Sequence, residues 1–198
     1  MWGASDFGNS GALPTTLDGV SVQFGGKAAA AYYVSPAQLD VQIPSGLTGS
    51  VPVVVSVRGA SNPPFTVNVG THAPSLFVYA AGGNVCPAAT HADGSLIGDP
   101  AVEPGASKAA AGEFITLYVN GLGPSQAGVL IGMPVPYSDA VTVTLGGKNC
   151  SVSFAGLVGA GLFQVNVQVP ADIATGEYPL TVTASGQLSP GQVELPIR

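Results

Sequence analysis

Apolar and polar residues alternate along most of this chain of 198 residues. Val20, Val22 and Phe24 are separated by Ser21 and Gln23, and Leu39, Val41 and Ile43 by Asp40 and Gln42. The pattern returns at Val53, Val55 and Val57, at Phe65, Val67 and Val69, and at Ile115, Leu117 and Val119. It continues through Val141, Val143 and Leu145, then Val165, Val167 and Val169, then Leu180 and Val182, and ends at Val193, Leu195 and Ile197. A period of two sets one face of a strand in a core and the other in water. Helix signals are nearly absent. Strand-like runs about 8–12 residues apart, with Gly and Pro between them, predict sandwiches of antiparallel sheets. Gly25-Gly26 and Gly146-Gly147 fit tight hairpin turns that need positive φ.

The pattern also repeats. Gln38-Leu39-Asp40-Val41-Gln42-Ile43-Pro44 returns as Gln164-Val165-Asn166-Val167-Gln168-Val169-Pro170. A run ending in Gly-Gly-Lys precedes each copy, Val20 to Lys27 and Val141 to Lys148. A Gly, a Pro and an alternating apolar run follow each copy, from Gly49 and from Gly176. Such self-similarity predicts two copies of one structural unit. The expected domains are residues 1–70 and 71–198, the second carrying a small, polar, turn-rich stretch over 80–112 as a long loop or hairpin decoration. Aligning Gly8 with Gly123 puts Met1 inside the first strand of its unit. The chain is therefore expected to start partway through a domain, leaving a sheet edge that invites edge-strand homodimerisation.

Composition narrows the classes of function. Gly (28) and Pro (17) are abundant, and the clear alternation marks them as turn residues rather than signs of disorder. Charged residues make up 8%, against roughly 25% in ordinary soluble domains. Five basic residues and a net charge of −6 cannot supply the basic patch that nucleic acid requires. No apolar run is long enough to insert in a membrane, and no signal peptide is visible at the start. Cys86 and Cys150 permit one disulfide, with two buried thiols as the alternative.

Several segments resemble a known family. Leu13-Pro14-Thr15-Thr16-Leu17-Asp18-Gly19-Val20, Tyr33-Val34-Ser35-Pro36-Ala37-Gln38-Leu39 and Leu162 to Pro170 are similar to the repeated C-terminal domain of secreted proteins of Solibacter-type Acidobacteria. His91-Ala92-Asp93-Gly94-Ser95-Leu96 and Gly121-Leu122-Gly123-Pro124 add to the likeness. That family in turn resembles the TIG/IPT branch of immunoglobulin-like folds. The resemblance implies an all-β chain of two tandem immunoglobulin-like (TIG/IPT-like) β-sandwich domains, secreted or at the cell surface. It carries no catalytic residues to transfer.

Catalytic spacings are missing: there is no Gly-x-Ser-x-Gly elbow, no His-Glu-x-x-His and no phosphate loop. A four-ligand zinc site would need every Cys and His of the chain to converge. The densest polar cluster is His91, Asp93, Asp99 and Glu103. A His91–Asp93 pair would orient water for hydrolysis of small esters or lactones such as acyl-lactones, and Asp93, Asp99 and Glu103 offer hard oxygen ligands for calcium. The alternative is a solvated loop with Asp-Gly and Asp-Pro turns. Gln38, Asp40 and Gln42, with Gln164, Asn166 and Gln168, face away from the apolar side and form either a polar surface for a glycan or protein partner or the wet face of a sheet. Trp2 and the outward member of Tyr32-Tyr33 are candidates for stacking on sugar. His72 reads as a linker residue with a packing or hinge role. The leading function is a non-catalytic module for adhesion, spacing or ligand presentation. Hydrolase and carbohydrate-binding module are the rivals.

Overall fold

The structure, a computed structural model, describes residues 6, 12–126, 128–129 and 133–198. Trp2, Gly8 and the shortened first strand lie outside the described residues. Among the described residues there is no α-helix, and the order is strand and turn throughout. The chain divides into two compact units. The first comprises 1–71 with 124–133 and 159–161, and the second comprises 72–123, 134–158 and 162–198.

The first unit holds β1 (Val20–Phe24), β2 (Lys27–Ala28), β3 (Ala30–Val34), β4 (Leu39–Gln42), β5 (Gly49–Val57), β6 (Ala60–Ser61) and β7 (Phe65–Val69). Gly25 and Gly26 both take positive φ, +56° and +78°, which gives the twist a two-residue hairpin needs to close β1 on β2. β1 pairs antiparallel with β5, Val22 opposite Val55 and Phe24 opposite Val53, and β7 pairs with the first half of β5. Val22, Phe24, Ala29, Val51 and Val53 form the buried centre, and Leu39 and Val41 pack on it from the separate β3–β4 ladder. Two layers with one shared core make a β-sandwich. A register shift between Ala31 and Tyr33 turns Tyr32 outward (51% exposed) and leaves Tyr33 half-buried.

The second unit holds β8 (Ser75–Leu76), β9 (Val78–Ala81), β10 (Asn84–Pro87), β11 (Ala89–His91), β12 (Phe114–Asn120), β13 (Val135–Pro136), β14 (Val141–Leu145), β15 (Lys148–Gly159), β16 (Leu162–Gln168), β17 (Gly176–Ala184), β18 (Gln187–Leu188) and β19 (Glu194–Ile197). The main path runs β11-β12-β16-β15-β14-β17-β18, with β8 on β12, β13 on β15 and β19 on β17. The twelve-residue β15 reaches from the β14 side to the β16 side. Ile115, Leu117 and Val119 face Val167, Val165 and Phe163 across one ladder. Val143 and Leu145 face Val182 and Leu180 across another. All of these side chains lie in one buried cluster. Both units are immunoglobulin-like β-sandwiches.

The two sequence copies occupy matching places. β1 meets β5 as β14 meets β17, and β7 lies on β5 as β19 lies on β17. The lysine after each Gly-Gly turn reaches the loop that follows the copied segment. Lys148 Nζ donates to Asp172 O (2.9 Å) and Oδ2 (2.7 Å), and Lys27 Nζ reaches Ser45 O at 3.5 Å. Of the two forms expected for 80–112, a long loop or a hairpin, the chain has the β9–β10 hairpin, which begins at Val78, and β11 joins the main sheet beside β12.

One glycine marks where backbone crowding allows no side chain. Gly121 ends β12 with φ +66°, and a Cβ there would overlap the carbonyl oxygen of Ala73, which is backbone and cannot swing aside. Gly147 has φ +79° but open space around it. Gly121→Ala is expected to cost more than about 2 kcal/mol. Gly147→Ala, with only left-handed strain, is expected to cost about 1 kcal/mol. Urea denaturation of the two variants checks this, and equal midpoints would refute the backbone clash at Gly121.

Candidate functional site

The polar centre of the second unit is built around His91, the last residue of β11. Ala89 and His91 point inward and Thr90 is half-buried, so the strand's alternation carries an imidazole to the core side, where His91 is 9% exposed. A buried imidazole needs a partner at each nitrogen. Nδ1 is hydrogen-bonded to Oε1 of Glu113, which immediately precedes β12. Nε2 faces Ser107 Oγ at 2.8 Å and Ser107 O at 3.2 Å. The other Glu113 oxygen, Oε2, accepts the Ala110 N–H at 2.7 Å. Backbone bonds pin Ser107 on both sides: its N–H donates to Leu96 O (3.1 Å) and its carbonyl accepts from Gly98 N–H (3.1 Å). A hydroxyl, an imidazole and a carboxylate thus stand in line, drawn from three separate segments.

The acid beside His91 is therefore Glu113 and not Asp93. Asp93 turns into its own Asp-Gly turn, where it accepts the Ser95 hydroxyl (2.6 Å) and the Ser95 N–H (2.9 Å). Those bonds, the hydroxyl first, hold its carboxyl below the usual range. Asp99 accepts the Ala101 N–H at 2.9 Å and pairs with Lys108 at 2.9 Å, and the Lys108 bond is the main cause of its lowered pKa. Asp93, Asp99 and Glu103 do not gather as a calcium cage. Among the described residues no group of three or more His, Cys, Asp or Glu side chains converges. Ser107 and Glu113 escaped the sequence reading because one lies in a featureless turn-rich stretch and the other heads a strand. The only available signal was a His in phase with buried Ala89.

The amide stripes are largely occupied with their own units. Gln42, expected on the wet face, is buried. Its Nε2 donates to Ser125 Oγ (2.7 Å) and Gln126 O (3.2 Å), and its Oε1 accepts the Gly128 N–H (2.6 Å). These bonds tie Ser125, Gln126 and Gly128 to the first unit. Gln38 donates to Asp40 at 2.8 Å. It also lines an open groove of about 660 Å³ with Ser35, Leu39, Val57 and Arg58. In the second unit Asn166 Oδ1 accepts from Gln164 (2.8 Å) and Thr116 (3.2 Å), and Gln168 Nε2 donates to Gly112 O (3.0 Å).

His72 is fixed at the start of the second unit. Its Nε2 meets Tyr137 OH at 3.1 Å and Asp139 Oδ2 at 3.4 Å. Tyr137 OH also lies 2.6 Å from Leu122 O and 3.0 Å from Asp139 Oδ2, and its ring meets Phe163 edge-on. Burial first, then the bond and charge of Asp139, push the Tyr137 pKa up to about 12. The bridge that two cysteines permit does not form. Cys86 in β10 and Cys150 in β15 are both buried free thiols, and burial pushes Cys150 up to about 11 and Cys86 upward as well.

Residues 5–79 match the family model of the IPT/TIG domain. The match covers most of the N-terminal part of the first unit and runs into the first residues of the second. The IPT/TIG domain is in general a non-catalytic immunoglobulin-like module, in keeping with the sandwich described above. A search of the curated proteins finds no match. The second unit, with its His91 centre, lies almost entirely outside the IPT/TIG match. Among the described residues no helix is long and apolar enough to cross a membrane.

Two outcomes follow for titration. Both thiols should resist an aromatic disulfide reagent in the native chain at neutral pH, and both should react after guanidinium without added reductant. A bridged pair would give no reaction at all. The second concerns alkali. Cys150 and Tyr137 have raised folded pKa values, so their contribution to stability is fully present below the ordinary thiol and phenol ranges. It is lost as pH rises through about 11 and about 12. The urea midpoint should fall over that alkaline window, and Tyr137→Phe should flatten the upper part of the fall. An unchanged slope in the variant would remove Tyr137 as a cause.

Proposed function

We propose that this chain is a spacing and presentation module of a secreted or cell-surface bacterial protein, with its partner a neighbouring domain or another protein. The carrying observation is where its polar side chains point. In both units the amides and carboxylates that would form a ligand surface are mostly bonded to the unit's own backbone and neighbours. Polar groups already satisfied gain little from a sugar hydroxyl, which favours spacing over carbohydrate binding. The chain's low content of charge supports an environment in which neither nucleic acid nor anionic lipid is the target. The IPT/TIG match over residues 5–79 supports the same kind of module.

The test uses the parent protein in its own host, with an epitope placed after Arg198. A membrane-impermeant antibody should label intact cells, or the tagged protein should appear in the medium. Replacement of residues 1–198 by an unrelated β-sandwich pair should leave the parent's surface activity intact. Signal confined to the cytosol would overturn the location. Loss of activity on replacement would overturn the spacer role and return attention to the Gln38 groove.

A further inference from the structure

We propose that Ser107 of the second unit is an activated nucleophile that takes an acyl group from small activated esters and strained lactones, with His91 as its general base and Glu113 as the positioning residue. This goes beyond the spacer reading and is independent of the IPT/TIG match, which does not reach Ser107.

The geometry carries the inference. A carboxylate only accepts, so the Glu113 contact places a proton on His91 Nδ1. In the neutral ring Nε2 then holds a lone pair, and the Ser107 hydroxyl at 2.8 Å donates into it. This is the nucleophile–base–orienter order that activates a serine. The arrangement is held from outside as well. Ala110 N–H anchors the far oxygen of Glu113, and two backbone bonds fix the Ser107 main chain beside the ring. The Ser107 carbonyl at 3.2 Å from Nε2 has a use after proton transfer: it accepts the new N–H and stabilises the imidazolium. Ser107 itself is half-buried, whereas nearby Ala106 and Ala109 are buried.

The step balances simply. As Ser107 Oγ bonds to the acyl carbon, its proton moves to His91 Nε2. The C–O bond to the leaving group breaks, and the departing oxygen takes that proton back from the imidazolium. Water, deprotonated by the same nitrogen, then cleaves the acyl-serine and restores the hydroxyl. The Ser107 N–H is already given to Leu96 O, so the hydroxyl has little help at a substrate's carbonyl oxygen and selects by electrophile strength. The class is therefore aryl esters and strained lactones, whose leaving groups need little help.

The test is acetylation of the full chain by p-nitrophenyl acetate near neutral pH, read as p-nitrophenol release and as the site of the acetyl group by peptide mass mapping. The expected result is an adduct on Ser107 in the wild-type chain. Release should fall at least about 100-fold in Ser107→Ala. Glu113→Gln, which keeps an acceptor for Ala110 N–H but disturbs the tautomer, should fall at least about tenfold, and Glu113→Asp should recover part of that loss. Thermal melting of each variant shows whether the fold is retained, and mapping on the wild-type chain does not depend on any variant folding. No adduct, an adduct on lysine, tyrosine or the amino terminus instead of Ser107, or equal rates in Ser107→Ala would overturn the proposal.

Discussion

Register at the Gly-Gly hairpins is the constraint on which both sandwiches rest. In the second unit Gly146 and Gly147 set Leu145 against Lys148, and the same strand sets Val143 against Val182 and Leu145 against Leu180. A slip of one residue would reverse every side chain of β14 and move Val143 and Leu145 from core to water. Each such side chain is worth about 1.5–3 kcal/mol of burial, so a slip is prohibitive. Gly146 is doubly required. Its φ is +58°, and a Cβ would come within 2.7 Å of the Tyr178 ring. The first unit applies the same device at Gly25 and Gly26, and there Phe24 and Val22 are the side chains kept inside.

With register fixed, the long excursion between β11 and β12 can be tied rather than packed. It leaves at His91 and returns at Glu113, and those two residues bond to each other. Its middle is fastened by the parallel bridge of Ile97 with Ser107 and by the Asp99–Lys108 pair. Ile97 and Ala109 are fully buried, so the excursion supplies apolar side chains to the main core as well as polar ones to the His91 centre. Placing one buried imidazole at the junction closes a loop of more than twenty residues with groups that hydrogen-bond one another, instead of leaving polar atoms unpaired in the core.

The strands and turns were legible because period two and Gly-Gly are local signals. The inward positions of β1, β12, β14, β16 and β17 fall where the alternation puts them. What the sequence hid is what depends on contact between distant segments. Gln42 shares its alternation with Asp40, yet it is buried because Ser125, Gln126 and Gly128 approach it, and nothing local announces that. Asp93 is two residues from His91 and looked like its partner. In a strand that ends in a tight turn, an Asp two positions on bonds forward to the turn's own backbone. Glu113, more than twenty residues away, arrives through the β11–β12 pairing, in which His91 lies opposite Ile115. The cysteine pair failed for a similar reason: Cys86 belongs to a hairpin and Cys150 to the start of β15, and separate sheets hold them.

A chain with so few charges puts them to structural use. Lys148 locks the second hairpin to the loop at Asp172, and Lys27 reaches the equivalent loop of the first unit at the long limit of a hydrogen bond. Lys108 holds Asp99 across the excursion. With those cations occupied locally and a net charge of −6, the chain offers no cationic patch to steer an anionic partner. Recognition, where it occurs, must come from short-range fit or from chemistry at a single group. That is why the line of Ser107, His91 and Glu113 matters here more than any patch of surface. It is the place where a hydroxyl, a base and an acid are brought into order on a residue that is only half-buried.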